Sequence, residues 1–386
     1  MKMTLSGYCE NVFKRGGWTF VLALLVPFLF AACPNNDKLE SKRSSTGTRA
    51  QPTALPPVVP GAVAFNGERA LEHVKKQIDI GPRPPGSPEL AKTRAYLSSQ
   101  LNSFGLKVTS DVFHASTPIG DKEMTNITAE VPGESKDVIM ITSHYDSKYF
   151  KNMRFVGAND PGSSVGTLLE LARVLGTNGQ KPKLTYWLVF FDGEEAFCEH
   201  WEQCGTPEKP DNTYGSRRYV AQLQATNSLT RVRAMILLDM MAYKNLELGR
   251  DTMSTVWLLD IVWQTARELG HGNVFVSRAE GVGGDDHEPF LKAGIDSMDI
   301  IQLSSYRSGS IDYWHTPEDS LDKISAKSMK IVGDVVLASL PKIEDRFAKH
   351  SGSTSPPAPA PEGPAERPAA AAENHPTTKS NDTRKN

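Results

Sequence analysis

Residues 190–197, FFDGEEAF, place three acids at the end of an apolar run. Val189, Phe190 and Phe191 suit a sheet core. Asp192, Glu194 and Glu195 do not, because an unpaired buried carboxylate costs several kcal/mol or more. Three other apolar runs end the same way: IMITSHYD delivers His144 and Asp146, AMILLD delivers Asp239, and IIQLSSY leads on to His315 in WHT. A fifth acid, Asp160 in VGAND, stands where the helix after the first of these runs begins. Acids and imidazoles converging from five segments are what a zinc or paired-zinc site requires. A cation would neutralise one glutamate of the pair and leave the other to act as a base. Each residue also has an ordinary use. A histidine such as His315 is most often hydrogen-bonded at the surface or in the core, an acid like Asp160 is usually a helix cap, and adjacent acids are usually a solvated pair. Those uses fit poorly together, because the members sit at the ends of apolar runs rather than on polar faces.

The segments that must position these groups alternate in period. GERALEHVKKQIDI and SPELAKTRAYLSSQLNSFG have helical spacing, with Gly105 closing the second. LKVTSDVFHA and NITAEVPG alternate as strands at a sheet edge. DVIMITSHYD, LTYWLVFFDGEE, RVRAMILLDM and IDSMDIIQLSS are apolar runs suited to central strands. PGSSVGTLLELARVLG, STVWLLDIVWQTARELG and KSMKIVGDVVLASL are predicted helices, the first with Pro161 in its first turn. This pattern predicts an α/β three-layer sandwich on a central mixed, largely parallel sheet flanked by helices. Open sheets of that kind bind ligands at the carboxyl ends of their strands.

The 386 residues allow one large domain with tails, and a formal net charge of −2 gives no sign of a nucleic-acid partner. Residues 1–33 carry Lys14 and Arg15 before an apolar stretch that is interrupted by Pro27, a signal-peptide pattern rather than a spanning helix. Ala31-Ala32-Cys33 matches a bacterial lipobox, so Cys33 is expected to be lipidated, making a lipoprotein of the cell envelope whose only membrane contact is that lipid. Plain cleavage is the alternative. Residues 34–62 are polar and Pro-rich and read as a disordered tether, and 349–386 as a disordered Pro/Ala-rich tail, leaving 63–348 as the catalytic domain. Cys198 and Cys204 are spaced to close a short loop, or less readily to bind metal; sequence alone does not settle it.

SHYDSKYF, FVGAND, ELAR, FFDGEEAF, HW, YGSR, LLD, DDHEPFL and WHT occur in this order. Together they resemble the animal-type glutaminyl-peptide cyclotransferases (glutaminyl cyclases), a branch of the wider zinc aminopeptidase family. The likeness runs from about Gly67 to about Leu340. HYDSKYF and the doubled acid of DDH favour the cyclase branch. The resemblance implies that Asp160, Glu195 and His315 hold one zinc and that Glu194 is the acid/base. It implies that Asp239 and Asp285 form a hydrogen-bonded acid pair beside it, and that Trp314 and Trp201 line the substrate pocket. It further implies that Asp146 orients His144, and that peptide or protein N-termini are the substrate, with Gln converted to pyroglutamate and ammonia released. In a dinuclear aminopeptidase, the alternative, His144 and Asp239 would hold a second zinc with Asp160 bridging. A non-catalytic binding ectodomain would have eroded ligands, whereas all five metal-type positions are intact here. The chain departs from the animal pattern in three places. Ser143 and Val165 stand where many animal cyclases have a cysteine pair, the loop CEHWEQCGTPEKPDN is longer, and SSYRSGSIDYWHT differs from the animal lid.

Overall fold

The structure is a computed structural model that describes residues 63–350 apart from 202 and 306–308. The leader with Cys33, the tether, and the tail from residue 351 onward lie outside the described residues. Two helices open the domain, each started by its own side-chain cap. Asn66 accepts from the Glu68 and Arg69 N–H groups ahead of α1 (Gly67–Ile80), and Ser87 accepts from Leu90 N–H ahead of α2 (Pro88–Ser103). A long hairpin follows, β1 (Lys107–Thr117) and β2 (Gly120–Val131), antiparallel along its whole length.

The centre of the sheet is β3 (Val138–His144), β4 (Thr185–Phe191), β5 (Val232–Leu238) and β8 (Ser297–Ile300), all mutually parallel. The six strands lie in the order β1-β2-β4-β3-β5-β8, the mixed and largely parallel sheet that the sequence pattern predicts. Side chains of β3 alternate between two cores. Ile139 and Ile141 face α1, α2, α3 (Gly162–Thr177), α5 (Val256–Glu268) and α7 (Ala326–His350). Val138 and Met140 face α4 (Tyr214–Ala225) and α6 (Glu288–Lys292) through Tyr219, Leu223 and Phe290. With apolar cores on both faces, these strands read as continuous apolar runs rather than alternating ones. Among the described residues no helix is long and apolar enough to cross a membrane.

Three features differ from the sequence reading. The predicted run 295–305 is broken after Ile300, where Gln302 accepts from Glu247 N–H, and only Ser304–Ser305 beyond it are strand again, in a separate two-stranded pair. α4 was not predicted, because YGSRRYVAQLQA begins with glycine in its first turn and is polar over most of its length. A small parallel pair, β6 (Leu248–Asp251) with β7 (Phe275–Glu280), was also missed, being too short and too charged to show a period.

Candidate active site

His144 ends β3, and the turn after β4 carries Glu194 and Glu195, while Asp239 follows β5. All lie at the carboxyl edge of the parallel strands. Gly193 makes the turn possible: its φ is +75°, and a Cβ there would lie 2.5 Å from Met124 Sδ. The turn is tied down by Asp146, whose carboxylate accepts the N–H groups of Gly193, Glu194 and Glu195 at 2.9, 3.1 and 3.3 Å. Asp146 Oδ1 is 3.6 Å from His144 Nδ1, outside hydrogen-bond range. Its closer partners are therefore the backbone of the glutamates rather than the imidazole it was expected to orient.

Asp160 does not cap α3, whose N-terminus has no side-chain hydrogen bond. Its own N–H and that of Asn159 are instead held by Asp319 at 3.0 and 2.7 Å, which leaves the Asp160 carboxylate free to turn toward the histidines. Asp160 Oδ1 is 3.2 Å from His144 Nε2, and Oδ2 is 3.3 Å from His315 Nε2 and 3.1 Å from the Trp314 indole nitrogen, which donates to it. His315 takes a left-handed backbone, φ 55°, and its Nε2 lies 3.1 Å from Glu195 Oε1. Ligand atoms of Asp160, Glu195 and His315 are within 4.8 Å of one another, as are those of His144, Asp160 and Asp239. The structure thus brings together all of the metal-type residues expected from the sequence.

The donor set fits a zinc ion. Glu195 Oε2, Asp239 Oδ1 and both His144 nitrogens are buried without an aligned hydrogen bond. The groups are carboxylate and imidazole, the donors zinc takes. Negative charge is also in excess. Burial and the neighbouring Asp285, Glu195 and Asp286 charges hold the Glu194 carboxyl well above its usual range, against the pull of His144. Burial and then Asp239 push Asp285 up to about 6. Burial alone would lower His315, yet Glu195 and Asp160 raise it to about 9. A bound cation would relieve this crowding.

Asp160, Glu194, Glu195, Asp239, Asp285 and His315 line a cavity of about 260 Å³, walled by Trp201 and Trp314. Asp239 and Asp285 line the same cavity, and the Asp239 charge is one cause that raises Asp285. A ligand atom of Asp285 also lies within 4.8 Å of one on Asp299, a buried acid on β8. Asp299 was missed although SMDII carried the signal, an acid inside an apolar run. His287, whose Nε2 is 3.2 Å from Asp251 Oδ2, lies beside the same acids. Lys148 was also missed. It is buried, donates to the Ala196 and Cys198 carbonyls at 2.7 and 3.1 Å, and stands 3.8 Å from Glu195 Oε2. Cys198 and Cys204 form a disulfide, so they are not metal ligands.

Asp319 offers a test of this scaffold. Asp319→Asn turns one of two acceptors into a donor facing an N–H group, and should weaken metal affinity about 10- to 100-fold. Competition with a chelator measures it, and an unchanged affinity means that Asp160 is positioned by other contacts.

Residues 126–340 match the model of peptidase family M28. The glutaminyl-peptide cyclotransferase of Bos taurus is 30% identical over 275 residues, 63% of this chain and 73% of that protein. A solved glutaminyl cyclase from an Acidobacteriales bacterium is 35% identical, with a TM-score of 0.68 over 76% of this chain and all (100%) of that one. A Zn-dependent exopeptidase from Parabacteroides distasonis is 29% identical, with a TM-score of 0.65 over 72% of this chain and 99% of that one. By sequence and by architecture alike, the chain belongs to peptidase family M28.

Proposed function

We propose that this chain is a zinc-dependent glutaminyl-peptide cyclotransferase acting on the N-termini of peptides or proteins. The observation that carries the reading is the small cavity in which Glu194 and Asp285 face the Asp160–Glu195–His315 cluster between two tryptophans. Similarity to proteins named glutaminyl-peptide cyclotransferase supports it. Asp160, Glu195 and His315 would hold one zinc, which when bound supplies a Lewis acid for the side-chain amide oxygen.

The reaction needs no water. The α-amine attacks the glutamine side-chain carbonyl carbon, a new C–N bond closes the five-membered ring, and the old C–N bond breaks to release ammonia. Glu194 takes a proton from the amine and returns it to the leaving nitrogen, one carboxylate serving both ways because burial raises its affinity for the proton it must carry. Asp239 and Asp285 hold the α-nitrogen and the departing group. Trp201 and Trp314 exclude water that would hydrolyse the amide instead.

A second reading, a secreted zinc aminopeptidase, is favoured by one observation. His144 Nε2 lies 3.2 Å from Asp160 Oδ1 and 3.4 Å from Asp239 Oδ1, a donor group suited to a second zinc. Zinc stoichiometry, measured together with products from a Gln-initiated peptide, decides between them. One zinc with ammonia and an intact peptide bond supports the cyclase. Two zincs, a released first residue and no cyclisation establish the peptidase.

For location, the leader pattern of residues 1–33 and a disulfide at Cys198–Cys204 both favour an oxidising compartment outside the cytoplasm. We place the chain at the bacterial cell envelope, lipid-anchored through Cys33. Expressed in a bacterium, it should sediment with membranes, and Cys33→Ser should release or misprocess it. A soluble wild-type protein beginning at residue 34 or later overturns that placement.

A further inference from the structure

The reaction cavity shares part of its wall with a second space. Trp201 and Gly284 line the cavity, and both also line the second space, a larger groove of about 710 Å³. One side of that groove is Trp201 with the segment 205–213 that follows the Cys198–Cys204 disulfide, and the other is the outer surface of α4 and α6. Gly284 is therefore common to the walls of both spaces. A Cβ there would lie 3.1 Å from Glu288 Oε2 and 3.8 Å from Trp201 Nε1, so a side chain would crowd the wall that the two spaces share.

The loop side is built rather than loose. Asp211 accepts from Phe197 and Cys198 N–H at 3.1 and 3.0 Å and from the Tyr214 hydroxyl at 2.7 Å. The Arg217 guanidinium on α4 donates to the Pro210 and Asn212 carbonyls at 3.0 and 2.8 Å, tying the loop to the helix. A surface fixed before binding loses less entropy when it binds. Its lining is mixed, with Pro207, Val220, Ala221, Pro289 and Ala293 supplying apolar ground between polar residues.

Size separates the two spaces. At 260 Å³ the reaction cavity falls below the roughly 300–1,000 Å³ typical of clefts for drug-sized ligands, whereas 710 Å³ falls within that range. The cavity therefore has room for one terminal residue, and the rest of a polypeptide must leave it. Resting on the cyclase reading above, we propose that the groove is the site for the residues that follow the reacting glutamine. They would run past Gly284 in extended form, each adding about 3.3–3.6 Å of reach, and lay apolar side chains on the Val220–Ala221 and Pro289–Ala293 ground. The substrate class is then a peptide or protein with an extended N-terminal segment, rather than free glutamine or a dipeptide. Binding energy from that remote segment is spent on orienting the reacting end.

The test compares kcat/KM for a Gln-initiated octapeptide with apolar residues at positions 3 to 5 against a Gln dipeptide. In the wild type the ratio should be about 10 or more, from the remote contacts. Ala221 is exposed on α4, so Ala221→Trp fills the groove without disturbing the core, and it should bring the ratio close to one. As a check independent of any variant, a photo-crosslinking residue at position 4 of the octapeptide should label residues between 205 and 224 or between 284 and 293. A ratio unmoved by the tryptophan, or labelling confined elsewhere, overturns the proposal. If the wild type cyclises neither substrate, the cyclase reading has failed, and the crosslink still decides whether the groove holds peptide.

Discussion

Glu194→Gln should keep its full complement of zinc and lose about 100- to 10,000-fold in turnover, the usual share of a general acid–base residue. The change is isosteric, and the amide cannot take a proton from the substrate amine. Glu194 contacts the cavity and is 4% exposed, while the neighbouring Glu195 belongs to the ligand cluster. Two adjacent glutamates thus face different tasks, and only one should matter to metal content. Zinc analysis and ammonia release on the same preparation check both halves. Retention of more than about a tenth of the wild-type rate would remove Glu194 from the role, since general acid–base catalysis rarely contributes so little.

His315→Ala should lose metal and activity together. His315 supplies the only imidazole of the Asp160–Glu195–His315 cluster, and it sits on a loop rather than in the core. Its ring is braced edge-on by Phe150 and Phe155 and stacked on Trp314. Truncation leaves two carboxylates facing each other without their partner. Zinc affinity should fall by more than about 100-fold, beyond what a supporting residue alone contributes. The thermal midpoint of the metal-free protein reports whether the fold survives. Full zinc occupancy in a folded variant would reassign the ligand.

Much of this arrangement was legible because acids stood where apolar strands ended. FFDGEE, AMILLD and IMITSHYD each state a buried strand and a polar terminus in one stretch, so sheet edge and site emerged together. Asp160 was legible only as an acid at a helix start. Its actual geometry depends on Asp319, 159 residues away, which no local pattern connects to it. Asp285 was placed at the site, but Asp299 near it was not: it lies inside a strand, and bringing the two close needed the parallel register of β5 and β8. Nothing local in SHYDSKYF marks Lys148, which the structure buries against carbonyls at the foot of the disulfide loop. What sequence could not supply were contacts made across the fold, because side-chain periodicity reports only which face a residue occupies.

The distances along the chain between touching groups have a consequence for how the molecule matures. Glu195 meets His315 across 120 residues, and Asp160 meets Trp314 across 154. Such separations delay contact formation, since each closure costs chain entropy before any neighbour rewards it. The pocket therefore needs segments from most of the domain before it exists. A truncation ahead of residue 315 would leave no partial enzyme. Chemistry is switched on only when the whole domain has closed.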